Sequence, residues 1–181
     1  MPVIPEIARE VMEYPGRPRS RVRAIIEDEL FIGYRSEEIY TSSFAARRST
    51  YIISARREPL HTGMMQSEYT HVYNPVEDHG DAGVFSWLPH AVRFIDRALH
   101  SGGSVLMYND DDSTLSREAV VAAAYLIYSR QMSTTEAMDL VHRADRWASP
   151  GHALCQQLVL FAQYYSPRPR RQWHDRQTLI I

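Results

Sequence analysis

With 181 residues, 44% of them hydrophobic, the chain has enough apolar material for one α/β domain around a single core and too little for two. Its 20 basic and 22 acidic residues leave a formal net charge of -2, which argues against a general polyanion binder, so no nucleic-acid partner is expected. The single cysteine, Cys155, excludes an internal disulfide, and no apolar run is long enough for a signal-peptide core or a membrane span; an intracellular protein of the cytoplasm or nucleus, with no membrane partner, is expected.

Pro2, Pro5, Pro15 and Pro18 limit residues 1–23 to an N-terminal extension: a short helix around Ile7 to Glu13, then a proline-interrupted basic linker from Arg17 to Arg23. The pattern turns globular at Ala24. Leu30 to Gly33, Tyr51 to Ser54, Thr70 to Tyr73 and Val105 to Tyr108 read as short strands rich in β-branched, aromatic and aliphatic residues. Strands separated by helical stretches imply a largely parallel sheet.

Leu88, Ala91, Val92, Ile95 and Leu99 recur at helical spacing, and Gly102-Gly103 stops that helix before the Val105 strand. Arg117 to Ser129 is a helix apolar on nearly every side, which marks it as central. Ser133 with Glu136 forms a capping box that opens a third helix. Ser149-Pro150 supplies an N-cap and first-turn proline for a fourth, running to about Tyr165. The domain thus spans residues 24–166. Residues 167–181 carry proline and charge without helical period and read as a basic tail, with Arg168, Arg170, Arg171 and Arg176 ahead of Leu179, Ile180 and Ile181.

A strand, a loop and a buried helix, as in VLMY-NDDDSTLS-REAVVAAAYLI, is a framework on which phosphate sites are built, because loop amides and a helix N-terminus attract anions. Around that unit the chain resembles the dual-specificity branch of the protein tyrosine phosphatases. ELFIGYRSEE is similar to that family's first strand and turn, and YIISARRE to its next strand. PVEDHGDAGVFSWLPHAVRFID is similar to its general-acid loop and following helix, SREAVVAAAYLI to the helix after its phosphate loop, and WASPGHALCQQL to the start of its last helix. The resemblance covers residues 24 to 165. It implies an α/β, three-layer phosphatase-like domain, with a mostly parallel central sheet of four or five strands flanked by helices on both faces.

The family's loop runs His-Cys, five residues, Arg-Ser/Thr, with a glycine inside; the thiolate attacks phosphorus and the arginine holds the phosphate. Here Tyr108 stands at the histidine position, Asn109 at the cysteine position, and Arg117 at the arginine position. A carboxamide is no nucleophile, so the covalent route is closed and no catalytic residue is expected. Seven residues separate Asn109 from Arg117, and none is glycine. Asp78 stands at the general-acid position, with nothing to protonate once the nucleophile is gone.

Asp110, Asp111 and Asp112 follow immediately. Two unit charges about 6 Å apart at an effective dielectric near 20 interact by roughly 3 kcal/mol, and a phosphate dianion about doubles that. Three carboxylates beside the pocket would repel phosphate even against Arg117 and the helix dipole, so phosphate binding should be weak or absent. The triad also reads as a solvated acidic turn. Asp110, Asp111, Asp112, Ser113 and Arg117 form the expected protein-binding surface.

The resemblance extends to the catalytically inactive STYX-like pseudophosphatases and implies a scaffold or competitor in phosphorylation-linked signalling. Its protein partner would be a kinase, a phosphoprotein or a ubiquitin-ligase component. Neither cofactor nor metal is expected. Two alternatives stand beside this one: a metal-dependent or otherwise atypical phosphate hydrolase, using Asp110, Asp112 and Ser113 with Asp78 or His79, and a structural subunit of a larger assembly.

Overall fold

The computed structural model describes residues 22–34, 50–54, 70–73, 83–109 and 117–165. Five strands form one sheet: β1 (Val22–Ile26), β2 (Leu30–Tyr34), β3 (Thr50–Ser54), β4 (Thr70–Tyr73) and β5 (Ser104–Asn109). Their order is β1-β2-β5-β3-β4. β1 pairs antiparallel with β2, and every other pairing is parallel. The sheet is therefore the mostly parallel one implied by the sequence.

β1 is the strand that sequence reading missed, and it takes in Val22 and Arg23 from the stretch read as linker. Its residues are only partly buried until Ile25 and Ile26, as suits an edge strand. The turn into β2 is tight: the Glu29 N–H donates to the Ile26 carbonyl at 3.2 Å. Asp28 adopts φ 59° there, a left-handed conformation that aspartate tolerates better than most residues. At Gly33 an added Cβ would lie 3.2 Å from both Leu106 and Val22, so a bare backbone lets β1, β2 and β5 close up.

Four helices accompany the sheet among the described residues: α1 (Val84–His100), α2 (Arg117–Arg130), α3 (Thr134–Ala144) and α4 (His152–Tyr165). α1 starts earlier than its clearest apolar period and holds Pro89 inside, which removes the N–H that the Phe85 carbonyl would accept. The Phe85 N–H, one of the orphan donors of the first turn, donates instead to Gln157 Oε1 on α4 at 2.7 Å. At the other end, Gly102 (φ 79°) lets the Gly103 N–H reach the Ala98 carbonyl and the Gly102 N–H reach that of Leu99. This is a Schellman stop, and it aims the chain into β5.

Alternation along the strands sorts the core into two faces. Leu30, Ile32, Ile53, Val105 and Met107 point to the helices, where they join Leu88, Ile95, Leu126, Leu158 and Phe161 in one large cluster. Phe31, Ile52, Leu106 and Tyr108 form a smaller cluster on the opposite face. Val22 and Ala24 pack against that smaller cluster. α2 is buried continuously from Glu118 to Ile127, with four alanines that let its neighbours approach closely. The Ser133–Glu136 capping box is formed: Ser133 Oγ accepts from the Glu136 N–H, and Glu136 Oε2 accepts from the Ser133 N–H.

The start of α4 differs from the reading of Ser149-Pro150. The Cys155 N–H bonds to the Gly151 carbonyl, so Gly151 is the residue whose oxygen accepts the first helical bond, and Pro150 stays outside. A long-range pair anchors this region. Arg23 Nη1 donates to Asp145 Oδ1 at 2.7 Å, with the Asp145 side chain fully buried, tying β1 to the α3–α4 connection. The same oxygen accepts the Trp147 N–H at 3.1 Å. Among the described residues no helix is long and apolar enough to cross a membrane.

Candidate functional site

Strands β2, β3, β4 and β5 are parallel, so they all finish at one edge of the sheet, at Tyr34, Ser54, Tyr73 and Asn109. A crevice beyond the carboxyl ends of parallel strands is where open α/β sheets bind ligands. The register sets Tyr34 opposite Asn109 and Ser54 opposite Tyr108 at this edge. The chain leaves β5 at Asn109, passes through seven residues and re-enters regular structure at Arg117, the first residue of α2. β5 and α2 thus supply the strand and the helix N-terminus that an oxyanion site needs.

Tyr108 is 7% exposed and packs in the second core cluster beside Phe31, Ile52 and Leu106. It is therefore a core residue under the site. Asn109 is the last residue of β5. Arg117 is half-buried in the first turn of α2, the place from which an arginine would reach a loop-bound anion. Asp78, Asp110, Asp111, Asp112 and Ser113 lie outside the described residues.

One residue at this edge escaped the sequence reading. Glu118 follows Arg117, where the family motif carries Ser or Thr, and it is 3% exposed. It is the acidic residue in the first turn of α2, at the helix end that would draw a phosphate. No linear signal marked it, since an acid in a first helical turn is ordinary; its burial makes it a polar group that calls for a reason. Ser54, also fully buried, ends β3 at the same edge.

Cys155 belongs to α4, not to the β5–α2 connection. Leu154 and Leu158 beside it are buried, but Cys155 is half-buried, one helical step of about 100° off that face. Its Sγ lies 3.6 Å from the Pro150 carbonyl. Among the described residues no three metal-ligating side chains come together.

Comparison with known proteins matches this architecture. The model of the family described as "Dual specificity phosphatase, catalytic domain" fits residues 30–164. Human dual specificity protein phosphatase 2 is 36% identical over 87 residues, 48% of this chain and 27% of its own length. Human dual specificity protein phosphatase 9 is 26% identical over 132 residues, 73% of this chain and 34% of its own length. The chain thus spans about a quarter to a third of the curated relatives it matches. Among solved structures, human DUSP28 superposes with a TM-score of 0.68 at 23% identity, covering 83% of this chain and 97% of that one. The human tyrosine phosphatase-like serine/threonine/tyrosine-interacting protein superposes with a TM-score of 0.64 at 20% identity, covering 80% and 97%. At these identities the structures establish the shared fold. The chain belongs to the dual specificity phosphatase family.

Proposed function

We propose that this phosphatase-family domain is a pseudophosphatase: a rigid scaffold or competitor that binds a signalling protein and hydrolyses no phosphate. The observation that carries the reading is Asn109 at the end of β5, where the family places its thiolate. An amide nitrogen has its lone pair delocalised into the carbonyl and cannot displace an alkoxide from phosphorus. The seven-residue connection to Arg117 works the same way, because a cradle of loop amides needs a fixed length and a glycine where backbone approaches phosphate. Asp110, Asp111 and Asp112 add repulsion. The binding surface would be the acidic loop together with the Asp78 loop and the basic ends of the chain. A kinase, a phosphoprotein or a ubiquitin-ligase component is the proposed class of partner, in the cytoplasm or the nucleus. Residues 24–166 would form the binding domain, and phosphate itself would contribute little.

The test is hydrolysis of a generic aryl phosphate by the purified chain, in EDTA and in Mg²⁺, beside an active family member. No turnover in either arm is expected. Turnover that EDTA abolishes would replace the reading with a metal-dependent hydrolase built on Asp110 and Asp112.

A further inference from the structure

The outer face of α1 is a stripe of one sign. Ser86, His90, Arg93, Arg97 and His100 recur every three or four residues, so they line up along the helix, and all five are exposed. The stripe runs for about 21 Å at the usual helical rise. Asp96 is the only acid in α1. It sits beside His100, whose Nδ1 lies 2.7 Å from the Asp96 carbonyl and 3.5 Å from Oδ1. Arg97 Nε donates to the Arg93 carbonyl at 3.2 Å, and among the described residues neither arginine pairs with a carboxylate. A solvated helix face usually interleaves its charges at i,i+4; this one does not.

The opposite sign is gathered in the turn between β1 and β2, where Glu27, Asp28 and Glu29 are consecutive and all exposed. That turn is rigid. The Glu29 N–H donates to the Ile26 carbonyl at 3.2 Å, and the Glu29 carbonyl accepts from the Val105 N–H at 2.8 Å, so the three carboxylates are presented from a point fixed to the sheet. Holding them there costs a partner little ordering entropy.

Turn and stripe are neighbours. Glu29 shares with Asp96 and His100 of α1, and with Tyr125 and Arg130 of α2, the lining of a cleft at the amino-end edge of the sheet. The last turn of α1 therefore abuts the acidic turn. The surface runs from negative at residues 27–29, through the mixed charges of Arg130, His100 and Asp96, to positive at Arg93 and Arg97.

We propose that this bipolar surface is a self-association face: a second copy of the chain, related by a two-fold axis, sets its turn at residues 27–29 on Arg93 and Arg97 and receives the same contact in return. An axis passing between two adjacent patches of opposite sign exchanges them, so each meets its complement and the contact closes at two copies. The chain's net charge of only -2 leaves little overall repulsion to oppose it. One helix face and one turn offer well under the roughly 800 Å² per partner of a standard interface, so the dimer is weak, with a dissociation constant on the order of 100 µM, and salt-sensitive. The inference is independent of whether phosphatase chemistry survives.

The test is sedimentation of the full chain from about 10 µM to about 1 mM in roughly 20 mM salt. The weight-average mass should rise from 20.9 kDa toward twice that value, and return to one copy in about 0.5 M salt. Arg93→Glu with Arg97→Glu, and separately Glu27→Arg with Glu29→Arg, should each weaken association at least about tenfold. Mixed in equal amounts, the two variants should associate again, because the acidic stripe of the first meets the basic turn of the second and the acidic turn of the first meets the basic stripe of the second. Misfolding cannot imitate that rescue. The proposal is overturned if the native chain stays at one copy up to about 1 mM, if its mass climbs past two copies, if either charge reversal leaves association unchanged, or if the mixture stays monomeric.

Discussion

The amino and carboxyl ends of β5 belong to one strand six residues long, yet they are constrained in different ways. The amino end is fixed by backbone chemistry, with a Schellman stop leading in from α1 and the Val105 N–H tied to the Glu29 carbonyl. The carboxyl end carries Tyr108 and Asn109 and runs into a seven-residue connection that opens with three aspartates. Between them Val105, Leu106 and Met107 are completely buried. Strand identity is set by side chains that must be apolar on both faces; on the proposed reading the chemistry would rest on a handful of residues at one edge, which can change without disturbing the core.

Core substitutions should therefore break the fold, and site substitutions should leave it standing. The largest loss is expected for Phe161→Ala, which empties a fully buried site of the main cluster: roughly 3–5 kcal/mol, read from denaturant unfolding. Asn109→Cys should leave the same unfolding midpoint unchanged within about 0.5 kcal/mol, and a comparable loss there would collapse the contrast. Asp145→Ala comes next. It strands Arg23, which is 24% exposed in its side chain, and removes the acceptor for Trp147, so roughly 2–3 kcal/mol is expected. Changing Asp110, Asp111 and Asp112 to Asn should raise affinity for a phosphate-like oxyanion such as tungstate about tenfold at low salt, an advantage that added salt erodes.

Ser133→Ala should cost about 1 kcal/mol by removing the N-cap of α3. The smallest effect is its pH dependence. Hydrogen bonds from the Ser133 hydroxyl and then its N–H hold the Glu136 carboxyl below its ordinary value. A depressed folded pKa gives stabilisation that is present above the unfolded value and is lost as pH falls through the folded one. The gap between wild type and Ser133→Ala should accordingly narrow below about pH 4.3, and a gap that widens in acid would contradict this sign.

Much of the fold was legible because it is written in periodicity. Leu88 to Leu99 repeat at the helical period, Arg117 to Ser129 are apolar all round, and the capping box needs only Ser133 and Glu136 three apart. β1 was not legible, since VRAII follows a run of prolines and arginines and Arg23 finds its partner 122 residues away, a pairing that only the tertiary fold creates. The elements that frame the candidate site were legible in order: the strand read to Tyr108 ends at Asn109, and the next helix begins at Arg117 as read. Glu118 was overlooked because an acid in a first helical turn is ordinary, and only its burial makes it notable. The cleft beyond Tyr125 gathers residues from β1, α1, α2 and α4, so no linear pattern announces it.

The central claim of the proposed function is that one segment, not the fold, would separate this chain from active phosphatases. It is tested most directly by replacing residues 108–116 with His-Cys and five residues from an active family loop, leaving Arg117 and Asp78 in place, and measuring aryl phosphate turnover beside the unaltered chain. The prediction is a silent wild type and a folded graft with measurable, vanadate-sensitive turnover. Turnover by the wild type, or a graft that folds with full stability and stays inert, would contradict it.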